Sequence, residues 1–113
     1  MSEPARNRNV VQFRPLPSDL LRMVQEISVD SSKVKFGNHS LERMEERGIT
    51  TLDALRVLRS GDIKGSIEAG NSKGEWRCKI VKQMKGAREI GVVTIVISTG
   101  RLFVKTVEWE DLK

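Results

Sequence analysis

Along Glu75-Trp76-Arg77-Cys78-Lys79-Ile80-Val81-Lys82-Gln83-Met84, apolar and charged side chains alternate: Trp76, Cys78 and Ile80 fall on one face, Glu75, Arg77 and Lys79 on the other. Period two marks a half-buried strand, because successive side chains of extended backbone point to opposite sides. Downstream, Lys85-Gly86-Ala87 makes a turn, and residues 90–97 are apolar on both faces, which places them in the middle of a sheet. Ser98-Thr99-Gly100 is a second tight turn, and residues 102–109 form the last strand. Upstream, residues 69–74 are turn-rich and residues 62–68 read as a weaker strand. Connections of hairpin length make this sheet an antiparallel meander of about four strands.

Before Gly61 the spacing is helical. Residues 51–60 form a helix that Thr50 and Asp53 open as a capping box, with Ile49 as the start of a hydrophobic staple. Leu52, Leu55 and Leu58 are expected to be buried, Arg56 and Arg59 to face outward, and Gly61 to close the helix. Asn38-His39-Ser40-Leu41-Glu42-Arg43-Met44-Glu45-Glu46-Arg47-Gly48-Ile49 is another short helix, with Asn38 as cap and Gly48 as its left-handed end. At about 100° per residue, His39, Arg43 and Arg47 lie along one ridge, while Leu41 and Met44 anchor the helix to a core. Residues 30–37 are a loop or short extended segment. Residues 19–28 form the first helix, capped by Ser18, with Leu20, Leu21, Met23, Val24 and Ile27 as its apolar stripe. Residues 1–17 read as a mobile basic tail; Val10-Val11-Gln12-Phe13 within it suits a short strand on this protein or on a partner. The expectation is one α+β domain over residues 18–113, its helices packed on the C-terminal meander.

The 113 residues suffice for one modest core, and no apolar run approaches the length of a membrane span. No hydrophobic secretory segment opens the chain, and a single cysteine forms no internal disulfide, so a cytoplasmic setting is expected. One histidine and one cysteine leave no structural zinc site of the usual kinds. Phosphate-binding glycine loops, G-x-S-x-G and H-E-x-x-H are all missing, so no cofactor or metal is expected. The net charge of +5 suits a polyanion, nucleic acid first, or simply solubility. With no tyrosine and few aromatics, a base-stacking platform is disfavoured and phosphate contacts are the natural use of the cations.

The succession of helix, loop, H-x-x-x-R-M-x-x-R-G-I, helix ending in glycine and meander resembles a small bacterial domain-of-unknown-function family. Its members look like toxins of toxin–antitoxin pairs, some encoded beside zinc-finger antitoxins of the MqsA type, and are similar in layout to RelE-like and barnase-like endoribonucleases. The residues carrying the resemblance are His39, Arg43, Met44, Arg47, Gly48 and Ile49, joined by Gly61 and Val104-Lys105-Thr106-Val107. It spans roughly residues 18–109 and implies a RelE-like or barnase-like fold acting on RNA. A single histidine and the lack of tyrosine depart from the best-equipped nucleases of that kind.

Metal-free RNA cleavage needs a base for the 2′-hydroxyl, cations for the phosphorane and an acid for the leaving oxygen. His39 suits the first or third task, and Arg43 and Arg47 the second. Arg77 and Lys79 share a strand face and would complete a phosphate-binding site, with the Thr106 hydroxyl positioning the anion. Glu75 and Glu108 are candidates for the missing second acid or base. Each residue also has a plainer reading: His39 bonded to a loop carbonyl, Arg77 and Lys79 as solvated surface, Thr106 as a strand former, Trp76 and Trp109 as packing, Cys78 as a buried inert thiol. The expected function is a toxin-like RNA-binding domain, a metal-free endoribonuclease with RNA or the ribosome as partner and an antitoxin-like protein as neutraliser. The alternative is a non-catalytic regulatory or accessory module whose basic face holds nucleic acid or an acidic protein.

Overall fold

The computed structural model describes residues 14–111. In chain order the elements are α1 (Pro17–Ser28), β1 (Val34–Phe36), α2 (Asn38–Arg47), α3 (Thr51–Ser60), β2 (Asp62–Ala69), β3 (Trp76–Gln83), β4 (Glu89–Ile97) and β5 (Arg101–Trp109). Short 3-10 turns at Ser31–Lys33 and Lys85–Ala87 join some of them. The α+β class read from the sequence holds, with the helices preceding the meander. Residues 1–13 of the expected tail, Val10 to Phe13 among them, lie outside the described residues. No helix is long and apolar enough to cross a membrane among the described residues.

Among the described residues the expected antiparallel meander of about four strands is present and is joined by a fifth strand, giving the order β1-β5-β4-β3-β2. Strands β2 to β5 form the antiparallel meander, and Val34–Phe36 adds a parallel strand on Leu102, Phe103 and Val104. Three residues are too few to display an alternating pattern, so this strand exists only through its partner far along the chain. Its presence makes β5 interior. The strand apolar on both faces, β4, takes the centre.

Helix ends follow local chemistry, with two adjustments. Leu16, not Ser18, caps α1, since Pro17 with its fixed φ occupies the first turn. Gly37, not Asn38, caps α2: its N–H donates to Val104 O (3.1 Å), and a Cβ there would lie 2.8 Å from the Phe103 ring. At the other end Gly48 takes φ +69, with Ile49 N donating to Met44 O (2.9 Å) and Gly48 N to Glu45 O (3.3 Å), the Schellman pattern. The Thr50–Asp53 capping box is present in both directions, at 3.0 and 3.1 Å. Gly61 closes α3 for lack of space rather than by a left-handed turn. A Cβ on it would fall 2.5 Å from Val81 O and 2.7 Å from Val57 O, so only glycine lets the helix end press against β3.

All three helices lie on one face of the sheet. Leu20, Val24, Met44, Leu55, Val57 and Leu58 meet Cys78, Ile80, Ile90, Val92, Val104 and Val107 in a single core, where each large aliphatic side chain contributes on the order of 1.5–3 kcal/mol. Three residues expected to pack stay outside: Met23 on α1 is 41%, Leu41 40% and Leu52 58% exposed. On α2 the inward position next to Leu41 goes to Ser40, whose hydroxyl donates to Gly37 O (2.7 Å). On α3, Ala54 and Val57 fill the space beside Leu55 and Leu58. Arg59 remains outward, as expected, yet its Nε closes the end of α1 by donating to Ser28 O (2.7 Å).

Candidate functional site

Among the described residues no helix packs on the second face of the sheet. Strand register lays out its side chains in rows: Arg77 beside Ile95 and Phe103, Lys79 beside Val93 and Thr106, and Val81 beside Gly91 and Glu108. A hollow of about 450 Å³ opens there, lined by Ser66 and Glu68 of β2, Arg77 and Lys79 of β3, Val93 of β4, and Lys105, Thr106 and Glu108 of β5. The structure therefore brings together the three expected phosphate ligands Arg77, Lys79 and Thr106. It adds Lys105, which sits where the β4–β5 register shifts between the pairs Val93–Thr106 and Thr94–Val104. A bulge re-aims the side chain it carries. Lys105 is exposed and has no carboxylate partner among the described residues.

The other cations are already paired. Arg77 joins Glu68, the residue directly opposite it on β2. Lys79 Nζ is 3.0 Å from Glu108 Oε2 and 2.6 Å from Glu110 Oε2, and Lys64 Nζ is 3.1 Å from Glu110 Oε1. The closer Lys79–Glu110 approach is poorly aligned for a hydrogen bond, so charge is what holds that oxygen. These groups meet above Gly91, where a Cβ would fall 2.2 Å from Glu110 Oε2 and 2.7 Å from Lys79 Cε. Glycine on the central strand is thus what lets a lysine of β3 reach across to carboxylates on and beyond β5.

Burial alone would raise the Glu110 carboxyl, but its contacts with Lys79 and Lys64 win and hold it below its ordinary value. Burial likewise disfavours the Lys79 ammonium, and Glu110 and Glu108 reverse this, raising it. Glu110 therefore contributes stability in full above the ordinary glutamate value of 4.5, and that contribution is lost as pH falls through its lower folded value. The Lys79 contribution runs the other way, present below its ordinary value and lost as pH rises through the higher folded one. Glu110→Gln is expected to lower stability at neutral pH, with a deficit that shrinks on acidification. Urea midpoints of both proteins across that range check this, and a constant deficit would contradict it.

Cys78 also borders the hollow, from the core side. Burial pushes its thiol up to about 12, so it stays a neutral packing group, as the alternation with Trp76 and Ile80 implied.

The α2 ridge forms only in part. Arg43 Nε donates to His39 Nε2 at 3.4 Å and Arg43 Nη1 to Glu46 at 3.3 Å, both on exposed side chains. Arg47 is turned inward. Its Nη1 donates to Val107 O (2.7 Å), and Trp109 Nε1 donates back to Arg47 O (2.9 Å). Strand β1 stops pairing at Val104, and this reciprocal clamp satisfies β5 beyond it. None of His39, Arg43 and Arg47 lines the hollow. Of the two extra acid–base candidates, Glu108 lies in the hollow, whereas Glu75 accepts from Ser72 N (3.3 Å) in the β2–β3 turn. Sequence reasoning missed Lys105 and Glu68 as site residues. Parity along β2 could have placed Glu68 on the same face as Arg77; their pairing lies past a register shift in β2 and, like the bulge at Lys105, has no sequence signal of its own.

Among the described residues no group of three or more histidine, cysteine, aspartate or glutamate side chains is arranged to hold a metal ion. Comparison with curated proteins and with solved structures gave no match. Residues 36–109, from the end of β1 through β5, match a family described as a domain of unknown function, DUF4258. That match covers the α2 motif, the hollow and more than half of the chain, and the chain belongs to the DUF4258 family.

Proposed function

We propose that the chain is a toxin-like, cytoplasmic RNA-binding domain that grips a backbone phosphate in the hollow on the open face of its sheet. The observation that carries this is the convergence of Arg77, Lys79, Lys105 and the Thr106 hydroxyl, from strands that are not adjacent, on one concavity. Guanidinium and ammonium donors beside a hydroxyl match phosphate oxygens. The surplus of positive charge on the chain favours encounter with a polyanion. An antitoxin-like partner would cover the same face with carboxylates.

Cleavage is the further step of this reading, with His39 as base or acid and Arg43 stabilising the phosphorane. The position of both on α2, apart from the hollow lining, favours the second reading: a module that binds nucleic acid or an acidic protein without cutting. A labelled RNA incubated with chelator, with and without ribosomes, separates the two. Cleavage by the wild type that His39→Ala abolishes supports the endoribonuclease. Binding with an intact RNA from both proteins leaves the binding module, and absence of both binding and cleavage overturns the proposal.

A further inference from the structure

A site for phosphate alone has no use for carboxylates, which repel the anion, yet the hollow contains Glu68 and Glu108. Their settings differ. Glu68 and Arg77 are both exposed, a surface pair with little to hold it in one geometry. Glu108 is built in. Its Oε2 is tied to Lys79, which is fixed in turn by Glu110, whose own side chain is only 6% exposed and also held by Lys64. The whole chain of charges rests over Gly91. No donor among the described residues reaches the other oxygen of Glu108. Thr106, two residues earlier on the same strand, and Lys105 stand beside it in the lining.

An oriented carboxylate with one unused oxygen, next to donors for a phosphate, fits a ligand that carries an anion and a hydroxyl donor a few ångströms apart. A ribonucleotide supplies this pair as its phosphate and 2′-hydroxyl; DNA lacks the second. Resting on the phosphate-site reading above, we infer that Glu108 accepts a hydrogen bond from the ribose 2′-hydroxyl and makes this site selective for RNA over DNA. Lys79 and Glu110 act as positioning residues, holding the acceptor in place.

The test compares the binding of three labelled oligonucleotides of one sequence: RNA, DNA and 2′-O-methyl RNA, the last keeping the ribose but losing the hydroxyl donor. Wild type is expected to bind RNA about tenfold more tightly than either of the others, the worth of one hydrogen bond to a charged acceptor. In Glu108→Ala the three affinities should converge, DNA binding holding or rising as a repulsive charge is removed. Glu108→Gln keeps an acceptor oxygen and should retain part of the preference. Equal binding of all three by the wild type overturns the inference, as does an unchanged RNA preference in Glu108→Ala. Failure of the wild type to bind any of the three would instead overturn the phosphate site itself.

Discussion

Trp109→Ala is expected to destabilise the protein by about 3–5 kcal/mol, the usual cost of deleting a buried tryptophan. Three losses combine at this position. The ring is buried at the end of β5, the Arg88 guanidinium lies 4.0 Å from its centroid, and Nε1 closes the last turn of α2 by donating to Arg47 O. Removing it also leaves the Arg47 donation to Val107 O without its return bond, beside the buried Met44 and Ile49, at the helix end. Trp109→Phe keeps most of the apolar surface and drops the N–H, so its cost should be nearer about 1 kcal/mol. Urea denaturation of the three proteins measures both steps. A loss below about 1 kcal/mol for the alanine variant would show that α2 is held on the sheet by other means.

The largest functional effect is expected from removing two cations of the hollow together, Arg77→Ala with Lys105→Ala. If each holds a phosphate oxygen, RNA affinity should fall about tenfold per residue, the low end for hydrogen bonds to charged groups. The dependence of log affinity on log salt should also flatten, by about 0.7 for each phosphate of a single strand that is no longer neutralised. Arg56→Ala removes one positive charge from the exposed surface of α3, in the other layer, and is the net-charge control for either single variant. An Arg56 variant as weak as either single variant would mean that diffuse charge, not the hollow, attracts RNA. Arg77 must leave Glu68 to engage a phosphate fully, whereas Lys105 has no carboxylate to give up among the described residues. The larger single effect is therefore expected from Lys105→Ala.

Much of this architecture could be read from the residues in order. The period-two pattern at Trp76, Cys78 and Ile80, the two-faced apolar run of β4, the Thr50–Asp53 capping box and the Gly48 helix end are local signals. They depend on the backbone geometry of a few consecutive residues, and the fold preserves them. The same parity placed Arg77 and Lys79 on one face, and the hollow opens on that face.

What parity could not say is which strand lies next to which. Strand β1 is made only by its pairing with Leu102–Val104, and the position of Lys105 only by a register shift between β4 and β5. The three ridge residues His39, Arg43 and Arg47 lie on one helix by sequence spacing. Only packing decided that Arg47 turns inward to an open carbonyl of β5 while His39 and Arg43 remain in solvent. Gly91 falls inside the run that reads from sequence as apolar on both faces; in three dimensions it is the gap through which Lys79 reaches Glu108 and Glu110. The elements, their order and the two faces of each strand are settled residue by residue, because they follow from dihedral geometry and side-chain size. Which charges meet is settled only when the chain is folded, because that depends on the register of strands far apart in the chain and on the space a missing side chain leaves.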